Sequence, residues 1–297
     1  MKKYDVVALG DVNMDYVVAH DLTFPFSSLV QNGLIHWEEI VEIPGGSGLN
    51  FCFFAVEAGY SCLMLGKTGI DSAGVSVTQW LKKQRIEIPL NWSSNLPTGK
   101  ALIMRDSADI RLLINNKNNA NNELSTVDID AAQKSISDCR VLYISGYCIK
   151  DSEAMRYQAT LQAMATAKVA LNAPTIVFDV VPHRIYEKIS FEQFRGCTRD
   201  VDILISEVAT MRRFLGLGNK LEKIDVAMAI TTVEVLSAYY PRLILRFGQS
   251  GCDDEILSDK QTCRILHRET GHNDATDKRG FGDKLTLCAL RDFYHVL

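Results

Sequence analysis

Pro44-Gly-Gly-Ser-Gly-Leu-Asn-Phe-Cys-Phe-Phe-Ala-Val-Glu-Ala-Gly59 is followed closely by Cys62-Leu-Met-Leu65. The first stretch is a glycine-rich loop that opens an apolar helix over residues 48–59, stopped by Gly59. The second is a short, wholly apolar strand. A glycine loop, a buried helix and a buried strand in that order make one unit of an α/β protein, because a strand with no polar side must be covered on both faces. The rest of the chain repeats this rhythm. Tyr4–Leu9 is a buried strand ending at Gly10, and further strands fall at Arg140–Ile144, Thr175–Asp179, Asp202–Ile205 and Leu243–Arg246, with helical patterns between them. A helix from Asp71 to about Gln84 places Val75, Val77, Trp80 and Leu81 inward. The expectation is a single α/β domain over residues 1–297 with a mostly parallel sheet.

Two segments interrupt that rhythm. About residues 13–44 begin strand-like at Asp15–Ala19 and pass through Phe24-Pro-Phe26. About residues 98–114 hold two strand-like runs, Lys100–Met104 and Ile110–Ile114, split by the turn Asp106-Ser-Ala-Asp109. Both are expected as antiparallel strands inserted in the parallel scaffold, forming a small lid. The Asn115–Asn122 run is a polar loop without assigned chemistry.

Bulk properties narrow the function classes. With 297 residues the chain can bury a sizeable core, and a formal charge of −4 gives no reason to expect a nucleic acid or an anionic membrane as partner. No run reaches the roughly 18 apolar residues of a membrane span. The N-terminal Met1-Lys-Lys-Tyr-Asp leads into a strand too short for a signal segment. The eight cysteines form no C-x-x-C pair and sit mostly within apolar runs, as small buried hydrophobes in a reducing compartment. A cytoplasmic location is expected.

Chemistry concentrates in four places. Asn13 and Asp15 follow the first strand, where ligands of α/β sheets gather, and their spacing puts both on one face of an extended segment. Gly45 and Gly46 allow close backbone approach, and Asn50 lies in the first turn of the helix behind them. Arg246-Phe-Gly248-Gln-Ser-Gly251 exits a strand and lacks the Gly-Lys-Ser/Thr ending of a Walker loop. Gly280-Phe281-Gly282-Asp283 opens a helix, so bare backbone amides and a carboxylate meet at one end. A proton acceptor beside a charge-stabilising cradle is what phosphoryl transfer to a hydroxyl requires. Taken alone, those last residues are more commonly an ordinary glycine loop with an acidic helix start.

Taken in order, Asn-x-Asp, Gly-Gly-x-x-x-Asn, Pro97-Thr98-Gly99 with Ala101, the Gly248/Gly251 loop and Gly-x-Gly-Asp resemble the ribokinase-like, or PfkB, carbohydrate and nucleoside kinases. The resemblance runs from Tyr4 to about Phe293. It implies a three-layer α/β/α fold with a small β lid, often used for dimer contact. It implies ATP and Mg2+ and a small-molecule sugar or nucleoside whose primary hydroxyl is phosphorylated. It further implies Asp283 as catalytic base, Gly280, Phe281 and Gly282 as the anion hole, Asn13, Asp15, Gly45, Gly46 and Asn50 as acceptor-binding residues, and Gly248 and Gly251 on the nucleotide side. The family's metal-linked segment falls on Ser206-Glu207-Val208-Ala209, where only Glu207 matches and Ala209 replaces the usual acid. A plain acid at a helix N-terminus also accounts for Glu207.

Lys278-Arg279 and Phe281 depart from the small residues the family carries, and relatives continue through further helices beyond Asp283. These departures motivate a second expectation, a non-catalytic sugar- or nucleoside-binding relative with an impaired nucleotide site. His183 and Arg184, following a strand end, and Cys148, near another, complete the candidates; buried packing is the stronger expectation for Cys148.

Overall fold

Six parallel strands form the spine of the computed structural model, which describes residues 3–18, 22–27, 39–89, 92–93, 95–107, 111–181, 184–218, 223–248, 254–267 and 280–297. These strands are β1 (Tyr4–Leu9), β4 (Cys62–Leu65), β9 (Cys139–Ser145), β10 (Thr175–Asp179), β11 (Ile203–Glu207) and β12 (Arg242–Phe247). The sheet runs β14-β13-β12-β11-β10-β9-β1-β4, and its last two members, β13 (Asp254–Ser258) and β14 (Cys263–His267), are antiparallel additions at one edge.

Side-chain alternation along these strands divides the core in two. Val7, Leu9, Leu142 and Ile144 face α3 (Thr126–Ser137), α4 (Met155–Lys168), α5 (Phe191–Thr198), α6 (Val208–Phe214) and α7 (Val226–Ser237). Val6, Ala8, Val141, Tyr143, Val177, Ile205 and Ile244 face α1 (Ser47–Glu57), α2 (Ser72–Lys83) and α8 (Phe281–Asp292). The result is the expected three-layer α/β/α arrangement. No helix among the described residues is long and apolar enough to cross a membrane.

The lid exists, but one of its pairings differs from the expectation. A four-stranded sheet has the order β3-β2-β7-β8, made of β3 (Ile40–Gly45), β2 (Asn13–Val18), β7 (Gly99–Arg105) and β8 (Arg111–Asn115). The outer pairs are antiparallel, whereas β2 and β7 run parallel. Chain direction is the reason: β2 and β7 each leave the core layer outward, and each returns by a neighbour. Residues 19–21, 28–38 and 108–110 of the expected lid segments lie outside the described residues. A short parallel pair, β5 (Thr68–Gly69) with β6 (Trp92–Ser93), lies apart from both sheets.

Three local expectations are corrected. Val75 is exposed while Val77 and Leu81 are buried, because residues two apart on a helix lie about 200° apart and cannot share a face. Cys263, on the edge strand β14, is exposed; five cysteines are buried and Cys288 is intermediate, while Cys252 lies outside the described residues. The Asn-rich run is not simply a solvated loop. Asn121 within it is buried, accepts from the Val12 N–H at 2.9 Å, and donates to the Val12 carbonyl at 3.3 Å and to Asn13 Oδ1 at 2.9 Å.

Asn121 therefore fixes the segment that leads from β1 into the lid. Replacing it by Ala orphans buried backbone groups of Val12, so Asn121→Ala should cost about 1–3 kcal/mol, read as a lower urea midpoint with an unchanged slope.

Candidate active site

Candidate side chains collect where the parallel strands end, on the face covered by α1 and α8. Strand parity puts them there. Tyr143 follows Val141, Asp179 follows Val177, Glu207 follows Ile205 and Arg246 follows Ile244 at two-residue steps, so each inherits the α1/α8 side of the sheet. Asp283 meets them from above, in the first turn of α8. That helix starts at Gly280, whose φ of 62° is left-handed; a Cβ there would come within 2.8 Å of Phe54 and 3.2 Å of Asn50. A β-carbon on Gly282 would press the Arg246 guanidinium at 3.2 Å. Bare backbone at both positions lets the helix start settle onto the site.

Asp283 is buried and hydrogen-bonded. The Tyr143 hydroxyl lies 3.3 Å from its Oδ1 and 3.0 Å from Asp179 Oδ2, and the Asn50 side chain also reaches the Asp283 carboxyl. Burial pushes the Asp283 carboxyl well above the ordinary carboxylate range, and the neighbouring Asp179 adds to this. Arg246, Tyr143 and Asn50 pull in the opposite direction. The Tyr143 phenol is likewise raised, first by burial and then by both carboxylates. Its ring stacks on Phe51 of α1 with centroids 4.1 Å apart and planes 7° from parallel, which fixes the hydroxyl. Arg246 spans the layer beneath α8. Its Nε donates to Glu255 Oε1 at 3.2 Å and its Nη2 to Thr286 Oγ1 at 2.6 Å.

The acceptor-side candidates assemble around the lid. Asn13 pairs with Gly45 on one side and Gly99 on the other, and Asp15 with Ile43 and Ala101. Both glycines face these polar groups at distances no side chain tolerates: a Cβ at 45 would sit 2.0 Å from Asp15 Oδ2, and one at 99 would sit 1.9 Å from Asn13 Oδ1. Gly46 caps α1 at φ 109° and packs on the Asp11 carbonyl. Asn50 lies one turn further on, its N–H bonded to the Gly46 carbonyl at 2.8 Å. The structure thus brings Asn50, Gly280, Gly282 and Asp283 together, and separately Asn13, Asp15, Gly45 and Gly99; the first turn of α1 joins the two groups. Asp71 steadies the same region by capping α2 and accepting from the Thr98 backbone and hydroxyl.

Other candidates are less engaged. Glu207 ends β11 in register with Arg246 and serves as the N-terminal residue of α6. Among the described residues no group of three or more His, Cys, Asp or Glu side chains is placed to hold a metal. Gly248 leaves β12 at φ 106°; Gly251, His183, Lys278 and Arg279 lie outside the described residues. Arg184 is exposed and paired with Glu187. Cys148 is a buried thiol whose pKa burial lifts to about 12, which keeps it from acting as a nucleophile.

Tyr143, Asp179 and Thr286 were not among the sequence candidates, and Arg246 was noted only as part of a strand exit. A signal existed for two of them. Asp179 and Arg246 are buried charges that close the apolar runs Ile176–Phe178 and Leu243–Leu245, a costly placement unless a partner or ligand waits there.

A domain of this topology, with an acid at the start of its last helix and a glycine-flanked lid, has the form of a small-molecule kinase. The chain belongs to the pfkB family of carbohydrate kinases, whose family model matches residues 3–230. Its structure is similar to adenosine kinase from Sinorhizobium meliloti (TM-score 0.74, 16% identity, covering 91% of this chain and 81% of that one). It is also similar to fructokinase from Xylella fastidiosa (TM-score 0.72, 13% identity, 98% and 83%) and to ribokinase from Giardia lamblia (TM-score 0.70, 16% identity, 91% and 76%). These likenesses establish a ribokinase-like fold. No curated protein matches the chain in sequence.

Arg246 and Glu255 form a buried ion pair, with side chains 7% and 0% exposed. Arg246→Met removes the guanidinium from the buried Glu255 carboxylate, so it should destabilise the chain by about 3–5 kcal/mol, seen as a fall in the denaturant midpoint. Restoring Lys at 246 should recover part of the loss.

Proposed function

We propose that this chain is an ATP-dependent phosphotransferase acting on a primary hydroxyl of a small sugar, ribose- or fructose-like, or of a nucleoside. The observation that carries the reading is Asp283: a buried carboxyl in the first turn of α8, held by Asn50 and Tyr143, at the end of a helix whose amides favour a phosphoryl group. Asn13 and Asp15, with the close-packed Gly45 and Gly46, offer the acceptor's other hydroxyls a carboxylate and an amide on the lid side. Gly280, Phe281 and Gly282 supply the cradle for the transferred group, and Gly248 with Gly251 the nucleotide-side loop.

In the reaction the acceptor oxygen bonds to phosphorus as the bond from phosphorus to the donor's leaving oxygen breaks. The acceptor's proton passes to Asp283, late, as charge on that oxygen falls. Mg2+ would come with the nucleotide's phosphates, with Glu207 the candidate protein ligand. Substitution of the family acid by Ala209 favours a second reading, a sugar- or nucleoside-binding relative without turnover. Thermal stabilisation by sugar or nucleoside with no response to ATP and Mg2+ would single that reading out. Exposed Leu112, Leu113 and Ile114 on β8 and Ile40 on β3 support a homodimer through the lid; a monomer at micromolar concentration in sedimentation equilibrium removes that proposal.

Asp283→Asn should lower kcat by about 10²–10⁴-fold while acceptor binding, measured by calorimetry, stays within a few fold. Because the folded pKa of Asp283 is raised above its unfolded value, the stability tied to its proton is complete below the unfolded pKa and is lost as pH rises through the folded one. Asn carries no such loss. The variant should therefore melt higher than the wild type at pH 8, with the gap closing toward acid pH.

A further inference from the structure

We propose that Asp179, Tyr143 and Asp283 act as one hydrogen-bonded unit that holds a single proton between its two carboxylates, making Asp179 a positioning residue for Asp283. The inference rests on the role given to Asp283 above and extends it to residues the family match assigns no part. Geometry carries it. The Tyr143 hydroxyl stands between Asp179 Oδ2 at 3.0 Å and Asp283 Oδ1 at 3.3 Å, and all three side chains are buried. A phenol has one proton to donate. With both carboxylates ionised it can satisfy only one, and the other faces the phenol's lone pairs. A proton on Asp283 removes the conflict: Asp283 donates to the Tyr143 oxygen, and Tyr143 donates to Asp179. The shorter contact to Asp179 matches that direction.

Charge around the unit leads to the same assignment. Among the described residues, Asp283 faces Asp179 from β10, Tyr143 from β9, the neutral Asn50 from α1 and the Arg246 guanidinium from β12. Arg246 already donates to Glu255 of β13. Asp283 therefore has a buried carboxylate and a phenol close beside it, and the guanidinium near it is shared with Glu255. Two carboxylates in one dry site cannot both ionise freely, so they titrate as a pair. The unit has room for one proton, so it serves as base only after releasing that proton to water, above its midpoint, and the emptied unit then takes the one proton a hydroxyl gives up on phosphorylation. During transfer the acceptor's proton lands on Asp283, which then donates to Tyr143 while Tyr143 donates to Asp179. The proton leaves to water with the product, and the unit is reset.

The test needs no turnover. In protein labelled with ¹³C at the aspartate carboxyls, the Asp283 resonance is assigned by its loss in Asp283→Asn and titrated by NMR. In Asp179→Asn its midpoint should fall by about one pH unit or more. In Tyr143→Phe, which keeps the ring on Phe51, it should stay high. An Asp283 midpoint unmoved in Asp179→Asn overturns the proposal, because burial alone would then set it. Should Asp179→Asn fail to fold, the reciprocal measurement decides: the Asp179 midpoint should drop in Asp283→Asn, since coupling between two sites is mutual, and no drop there overturns the proposal equally. With an active acceptor in hand, the acid limb of kcat/KM should move down in Asp179→Asn by the same interval at nearly constant KM. Absence of turnover in the wild type would count against the kinase reading and leave the titration result standing.

Discussion

The Arg246 guanidinium lies beneath the first turn of α8 among three buried carboxylates, Glu255, Asp179 and Asp283, and much of the local architecture follows from that crowding. Arg246, Glu255, Asp179 and Asp283 are all at most 8% exposed, so none can look to water for its solvation. Arg246 is held at both ends, by Glu255 and by Thr286. Gly282 stays bare because a side chain there would displace the guanidinium. Tyr143 fills the gap between the remaining two acids, and its ring is pinned by Phe51 so that the hydroxyl cannot turn away. The same arrangement that depresses the stability of the charged site raises the proton affinity of Asp283, a trade often found where chemistry is done.

The central layers were legible in the sequence because parallel strands are apolar on both faces, and such runs are hard to mistake when they alternate with helical periods. β1, β4 and β10 fall where the residues predict, and the others differ by one or two positions at their ends. The lid was legible as strands but not as a sheet. A period of two tells which face a side chain takes; it carries nothing about which neighbour a strand pairs with or in which direction, and so the parallel β2–β7 pairing stayed hidden. The antiparallel edge, β13 and β14, went unread for the same reason, in a region dense with charge.

Site residues divide along similar lines. Asp283, Asn50 and the glycines announce themselves by chemistry at a helix start, where short-range sequence decides the geometry. Asn121 acts across 109 positions on Val12, and nothing in a polar, Asn-rich run marks one amide as the buried one. Tyr143 belongs to a strand whose composition speaks only of packing, and the lone charge of Asp179 on β10 marks a site without saying which face it serves. Parity along each strand would have put them on the α8 face, but only once the identity of the covering helix was known.

That helix and the lid answer to each other through a short piece of chain. β3 ends at Gly45, against Asp15; Gly46 turns on the Asp11 carbonyl with no room for a β-carbon; one helical turn later Asn50 touches Asp283. A glycine in the positive-φ region with backbone packed against it has few alternative conformations. The first turn of α1 therefore has little conformational latitude between β3 and Asn50. On the kinase reading proposed above, the acceptor side at Asp15 and the Asp283 carboxyl are linked through Asn50.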